Sequence, residues 1–188
     1  LVPLGFEEVV PAVEAARVDF VLANSSFYVI LERRHGVSRI ATLRNRLGGG
    51  RTATRFGGVV FSRAGEADIN GLEDLEGRTL VAVEPTSLGG YQMALRELRA
   101  LGVRPRETRF AGTHDAVVRA VLAGGADAGT VRTDTLERMA AEGRLDPARV
   151  RVIADRKGRN GFNLHRSTRL YPEWPFAALD HVGDDLRR

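Results

Sequence analysis

The sequence predicts an α/β protein of two lobes, each a mostly parallel sheet flanked by helices, and three observations carry that prediction. Short apolar runs alternate with amphipathic segments along most of the 188 residues, as parallel strands linked by covering helices require. The alternation forms two series with single-strand crossings near residues 62 and 158, which sets lobe 1 as residues 1–62 with 158–188 and lobe 2 as residues 63–157. Three strand ends in the second series run directly into good helix starts. Such ends leave backbone N–H groups unpaired at the positive pole of a helix dipole.

Taken in order, Leu1-Val-Pro-Leu4 reads as the tail of a strand, residues 6–17 as a helix that tolerates Pro11, and residues 18–23 as a short apolar strand. Residues 25–36 form the next helix, with Asn24, Ser25 and Ser26 suited to cap its first turn. Strands at 38–44 and 54–63 follow, separated by the flexible Leu47-Gly-Gly-Gly50. Turn-rich residues 64–77 then lead to a strand at 78–83. From there the pattern is helix 87–101, strand 108–111, helix 113–123, strand 127–131, helix 133–142 and strand 149–154. Asp155-Arg-Lys-Gly-Arg-Asn-Gly161 has the composition of a crossover. Tyr171-Pro-Glu-Trp-Pro175 opens a short final helix that stops soon after Ala178, with Trp174 and Phe176 as its anchors.

Composition narrows the function. An apolar content of 43% supports a core and excludes wholesale disorder. The 28 Lys and Arg exceed the 24 Asp and Glu by four, and all of them except Lys157 are arginines scattered along the chain. Without a basic stripe interleaved with aromatics, no nucleic-acid partner is expected. The absence of Cys excludes disulfides and thiolate metal sites, and no run approaches the roughly 20 apolar residues of a membrane span. The chain opens on Leu1, as a processed or trimmed segment would. The four histidines, at 35, 114, 165 and 181, lack metal-ligand spacing. His114-Asp115 has no nucleophile at a recognisable spacing. Neither catalysis nor a metal nor a cofactor is expected.

The strand-end signals are Glu84-Pro-Thr-Ser-Leu-Gly-Gly-Tyr91, Gly112-Thr-His-Asp-Ala-Val117 and Arg132-Thr-Asp-Thr-Leu-Glu137. Thr86 and Ser87 can hold an oxyanion with their hydroxyls and the adjacent N–H groups, or simply cap a helix, worth about 1 kcal/mol. Thr113 and His114 offer the same choice. His114 either donates to an anion, with a charge that responds near pH 6.5, or packs while Asp115 complements the helix dipole. Asp134 is a ligand group or a plain cap. In lobe 1, Ser25 and Tyr28 stand just past a strand end; Tyr28 presents a flat apolar face with a hydroxyl tip, or packs on its own helix. Arg55 can pair bidentately with an anionic oxygen or lie solvated. Gly57-Gly58 marks a close ligand approach or a bulge. The pattern points to a small-molecule site, and a small anionic solute suits it best.

The run Leu72-Glu-Asp-Leu-Glu-Gly-Arg-Thr-Leu-Val-Ala-Val-Glu-Pro-Thr-Ser-Leu-Gly-Gly-Tyr91 resembles the hinge and first second-lobe unit of the type II periplasmic binding proteins. Thr113-His-Asp-Ala-Val117, Ala126-Asp-Ala-Gly129 and Thr133-Asp-Thr-Leu-Glu-Arg138 are similar to the phosphonate-binding branch of that superfamily. Within the branch, four features resemble the periplasmic sensor domains of two-component histidine kinases of the tetrathionate-sensor type. They are Tyr28 after Asn24-Ser25-Ser26, Arg39-Ile-Ala-Thr-Leu-Arg44, Arg55-Phe-Gly-Gly58 and Leu170-Tyr-Pro-Glu-Trp-Pro-Phe176.

The resemblance implies a type II periplasmic-binding-protein fold whose first lobe lacks, in this chain, the strand and helix with which the family fold begins. It implies a small anionic solute, a sulfur oxyanion or phosphonate-like, held in an interlobe cleft, with lobe closure as the signal. A signal sequence before the segment, and a tethered membrane span and kinase module after it, are expected, in a periplasmic domain anchored to the inner membrane; a dimer is compatible with this. The family's use of the same helix start for phosphonate oxygens favours Thr86 and Ser87. In phosphonate binders an acidic residue near the position of Asp134 faces a ligand amino group. Two departures stand out: Leu88-Gly89-Gly90 replaces a more hydroxyl-rich helix start, and Arg132 precedes Thr133-Asp134. The alternative reading is the substrate-binding component of a phosphonate-type ABC transporter.

Overall fold

Apolar side chains three and four apart draw the first segment into helix α1 (Phe6–Glu14), which buries Val9, Ala12 and Val13. The helix ends earlier than expected because Ala16 turns into the left-handed region at φ 50°. Strand β1 (Phe20–Leu22) leads to α2 (Ser25–His35). Asn24 caps α2 by accepting the N–H groups of Ser26 and Phe27, each at 3.1 Å. Gly36 ends it at φ 64°, where a side chain would be strained. After β2 (Ser38–Thr42), the short strands β3 (Asn45–Arg46) and β4 (Thr52–Ala53) pair around the glycine run.

The remaining strands are β5 (Arg55–Phe56), β6 (Gly58–Arg63), β7 (Thr79–Ala82), β8 (Glu107–Phe110), β9 (Ala128–Arg132), β10 (Val150–Val152), β11 (Tyr171–Pro172) and β12 (Pro175–Ala178). A π-helical turn (Leu88–Gln92) runs into α3 (Met93–Ala100), and α4 (His114–Leu122) and α5 (Thr135–Ala141) follow. The computed structural model describes residues 2–47, 50–183 and 185–186. Leu1 of the expected strand tail and Gly48 and Gly49 of the expected flexible run lie outside them, and residues 2–4 form no strand. No helix among the described residues is long and apolar enough to cross a membrane.

The chain divides into two compact units, Leu1–Arg55 with Tyr171–Arg188, and Phe56–Leu170. The crossings therefore fall between 55 and 56 and between 170 and 171, against the expected 62 and 158. The reason is that β6 belongs to the second unit's sheet and draws residues 167 and 168 onto itself. The Ser167 N–H donates to the Gly58 carbonyl at 2.8 Å, and the Val60 N–H donates to Ser167 Oγ at 2.8 Å.

In the first unit a three-stranded antiparallel sheet has the order β1-β12-β2. The expected final helix is instead β12, the middle strand of that sheet. Two prolines within four residues oppose a helix, while Ala177 and Ala178 are fully buried beside Val21, Phe27, Leu31 and Val37. Phe176 stacks on Phe20 of the neighbouring strand, with ring centroids 5.3 Å apart.

The second unit holds a five-stranded sheet in the order β10-β6-β9-β7-β8. β7 lies parallel to both β8 and β9, and β6 pairs antiparallel with β9 and β10. β6 alone runs against the other four, so the expected parallel series is interrupted by the strand that enters the unit. Alternation along β6 sends Val59 and Phe61 to one face, with Val117, Val121, Leu136 and Met139 from α4 and α5. Val60 faces the other, with Ala94 and Leu98 from α3.

Phe61 is fully buried, and its ring fills the space left open by Gly129. Phe61→Ala is expected to lower unfolding stability by about 3–5 kcal/mol in a denaturant titration.

Candidate functional site

Because β9, β7 and β8 are adjacent and parallel, their carboxyl ends share one edge of the second unit's sheet. The helix after β7 packs on one face and the helix after β8 on the other, so the chain's connections part at β7. In open α/β sheets that divergence is where ligands settle. β6 begins at the same edge, with Gly58 opposite Arg132.

After β7 the chain turns through half-buried Thr86 to buried Ser87, whose Oγ accepts the Gly90 N–H at 3.2 Å. The start is a π turn rather than the α turn expected from the sequence: the Gln92 N–H donates to the Ser87 carbonyl at 3.0 Å, five residues back. Such turns are often found at functional sites. The glycine pair permits it. A Cβ on Gly90 would sit 2.4 Å from Val83 Cγ2, and one on Gly89 would sit 2.8 Å from Arg132 Cβ and 2.9 Å from the Phe56 ring. The missing side chains let the turn press directly onto the ends of its neighbours.

After β8, Thr113 caps α4 by accepting the Ala116 N–H at 3.2 Å. His114 is half-buried, and its Nδ1 accepts the Arg132 N–H at 3.3 Å. Burial first, then the Arg132 and Arg138 charges, hold the imidazole pKa down at about 4 against the opposing charge of Asp115. His114 is therefore neutral near pH 7, with the proton on Nε2, which corrects the expected charge response near 6.5. Asp115 pairs with Arg138 at 2.7 Å and also with Arg144.

After β9, the Arg132 guanidinium lies over the Phe56 ring, 4.7 Å from its centroid, a cation–π arrangement that holds the charge in place. The Thr133 N–H donates to the Gly57 carbonyl at 2.9 Å, and Thr133 Oγ1 accepts the Gly57 N–H at 3.4 Å. Asp134 takes a left-handed conformation, φ 76°, and its side chain makes no capping bond to α5. Asp134 thus occupies the N-cap position without the side-chain bond that a cap would make.

The structure brings Ser87, His114, Gly57 and Gly58 to this edge around Arg132, with Thr86, Thr113 and Asp134 on the connecting turns. Ser25, Tyr28 and Arg55 belong to the first unit. Ser25 Oγ donates to the Pro172 carbonyl at 2.9 Å, the Tyr28 hydroxyl donates to Glu32 within its own helix, and Arg55 is exposed. Burial, aided by Glu32, raises the Tyr28 pKa. Arg132 and Phe56 were not among the expected site residues. The available signal was an arginine at the last position of a strand, just before Thr-Asp. Among the described residues no three His, Asp or Glu side chains gather as a metal-ligand set.

The sequence profile of the family described as the periplasmic substrate-binding proteins of phosphonate ABC transporters matches residues 1–188. The chain belongs to this family. It is 30% identical over 188 residues to the tetrathionate sensor histidine kinase TtrS of Salmonella typhimurium, covering 98% of this chain and 31% of that protein. The fold is similar to that of a binding-protein component of an ABC phosphonate transporter from Pseudomonas aeruginosa, with a TM-score of 0.68 and 16% identity, covering 96% of this chain and 57% of that one. It is also similar to a histidine kinase sensor domain described as resembling periplasmic binding proteins, with a TM-score of 0.56 and 18% identity, covering 97% of this chain and 64% of that one. The chain thus spans about a third of the kinase's length. These likenesses establish the type II periplasmic-binding-protein fold and an extracytoplasmic domain of the binding-protein type.

Gly90→Ala is expected to destabilise the fold by about 1–3 kcal/mol, measured by chemical denaturation, because Val83 and Ser87 must move. The His114 pKa, followed by NMR, is expected near 4. Since the unfolded chain binds the proton near 6.5 and the folded chain only near 4, stability is full above 6.5 and falls as pH drops through that window. His114→Gln removes this contribution to the slope.

Proposed function

We propose that this chain is the ligand-sensing domain of a two-component sensor histidine kinase and that it takes a small anionic solute, a sulfur oxyanion or phosphonate-like, at the strand-end edge of its second unit. The observation that carries this reading is Arg132, fixed over Phe56 beside two helix starts whose backbone N–H groups lie at positive dipole ends. Ser87 and the neutral His114 add donors, Ser87 Oγ–H and His114 Nε2–H, without adding charge. A solute that binds one conformation of the chain more tightly than another shifts the balance between them, and that difference is the signal. The 30% identity to a tetrathionate sensor kinase supports the sensing role. Anchorage to the inner membrane and a kinase module beyond this segment belong to the same reading.

A second reading, delivery of a phosphonate to an ABC transporter, is favoured by the description of the matching family. In it Asp134 would pair with a ligand amino group.

Calorimetric titration with tetrathionate, thiosulfate, sulfate, phosphate and an aminoalkyl phosphonate separates the two. Tight binding of a sulfur oxyanion, weakened about tenfold or more by Arg132→Gln and less by Ser87→Ala, is expected. Binding confined to the aminoalkyl phosphonate and lost in Asp134→Asn would favour transport. No binding across the panel would refute an anion site at this edge.

A further inference from the structure

The second unit carries a cavity of about 470 Å³ that the strand-end edge does not use. It lies between α5, β10 and the segment around residues 155–165, and its walls are apolar: Leu136, Leu145, Val150 and Val152 line it. Its size falls within the range of small-molecule sites. Three polar side chains interrupt the lining, Glu137, Asp155 and His165.

Their hydrogen bonding is uneven. His165 Nδ1 meets Asp155 Oδ2 at 2.7 Å, and Lys157 Nζ lies 3.2 Å from His165 Nε2. A lysine ammonium only donates, so Nε2 accepts and Nδ1 carries the proton to Asp155. The Asp155 carboxylate also accepts the Lys157 N–H at 3.0 Å. Asp155, His165 and Lys157 thus satisfy one another and balance in charge. Glu137 does not share this balance: Oε1 accepts the His165 N–H at 2.9 Å, while Oε2, shielded from water, has no partner. The nearby arginines on this side, Arg138 and Arg144, are engaged with Asp115 and Glu142. A carboxylate oxygen taken from water without a donor is costly, and a bound group that supplies the donor would offset that cost.

We propose that this cavity is a second ligand site, one that takes a small amphipathic cation: an alkylammonium whose head donates to Glu137 while its chain lies along Leu136, Leu145, Val150 and Val152. A neutral or anionic head of the same length lacks the charge that Glu137 selects. The site shares α5 with the strand-end edge, since Asp134 precedes the helix and Glu137 lies within its first turn.

The test is a titration of the 188-residue chain with n-hexylammonium, and in parallel with hexanol and hexanoate, followed by amide NMR shifts. Saturable shifts centred on residues 136–152 with hexylammonium, at least tenfold weaker binding of hexanol and hexanoate, and a similar loss in Glu137→Gln are expected. Gln keeps the acceptor for the His165 N–H, removes the charge and puts an amide NH2 donor in place of the unpartnered oxygen. No saturation with hexylammonium, or equal binding of the three probes by the unaltered chain, would overturn the proposal without reliance on any variant. Undiminished hexylammonium binding by a folded Glu137→Gln chain would overturn it as well.

Discussion

The architecture of the second unit depends on a four-residue strand that has no exposed face. All of β7 is buried, so its backbone groups must be paired along both edges and its side chains covered above and below. Parallel neighbours can be reached only through crossovers, which puts α3 and α4 on opposite faces. The register of β7 is locked at its start: the Thr79 N–H donates to Asp127 Oδ2 at 2.7 Å, and the Asp127 N–H donates back to the Thr79 carbonyl at 3.1 Å. With one end pinned and the faces covered, the other end becomes the place where three connections emerge together.

That edge is narrow because glycine makes it so. Gly89 approaches Arg132 and Phe56 at distances that a side chain would violate, and a Cβ on Gly58 would press on the Gly89 carbonyl at 3.2 Å. The close fit leaves little freedom to the residues that remain. Arg132 lies on an aromatic face, its own N–H is spent on His114, and His114 is thereby limited to one tautomer, with Nε2–H as its donor. The groups that could meet a ligand are therefore few and already oriented, which reduces the ordering cost that binding must overcome.

Most of this was legible in the chain before its structure. Caps and strand-end turns depend on local chemistry, so Asn24, Ser87 and Thr113 fall where their side chains predict. The second unit's strands are short runs bounded by turns, so their places along the chain could be read, though not their order in the sheet. What failed was non-local. Pro175-Phe-Ala-Ala178 carries no strong period of its own, and only pairing with β1 and β2 makes it a strand. The crossings were misplaced because β6 is apolar enough to suit either lobe, and Ser167 decides the matter from more than a hundred residues away. Arg132 was noticed as a departure and not as a site residue, since nothing local to it announces Phe56 as its platform.

The arginine excess looks at first like an argument for an anionic ligand, and the structure shows why it is a poor one. Arg63 donates to the carbonyls of Val121 and Ala126, at 2.8 and 3.2 Å, and Arg151 donates to those of Glu66 and Ile69. Arg166, almost fully buried, donates to the Thr168 carbonyl at 2.8 Å, and Arg109 to that of Gly125 at 3.0 Å. Arg138 and Arg144 bind α5 and the turn after it to Asp115 at the start of α4. In each case the guanidinium, with several donors in one plane, ties backbone carbonyls or carboxylates of the fold together. These charges serve the fold, and adding them up says nothing of function. Arg132 differs in position, not in kind: it ends a central strand, lies on an aromatic ring and borders two helix starts. Where a charge is held, and what surrounds it, is the information that net charge discards.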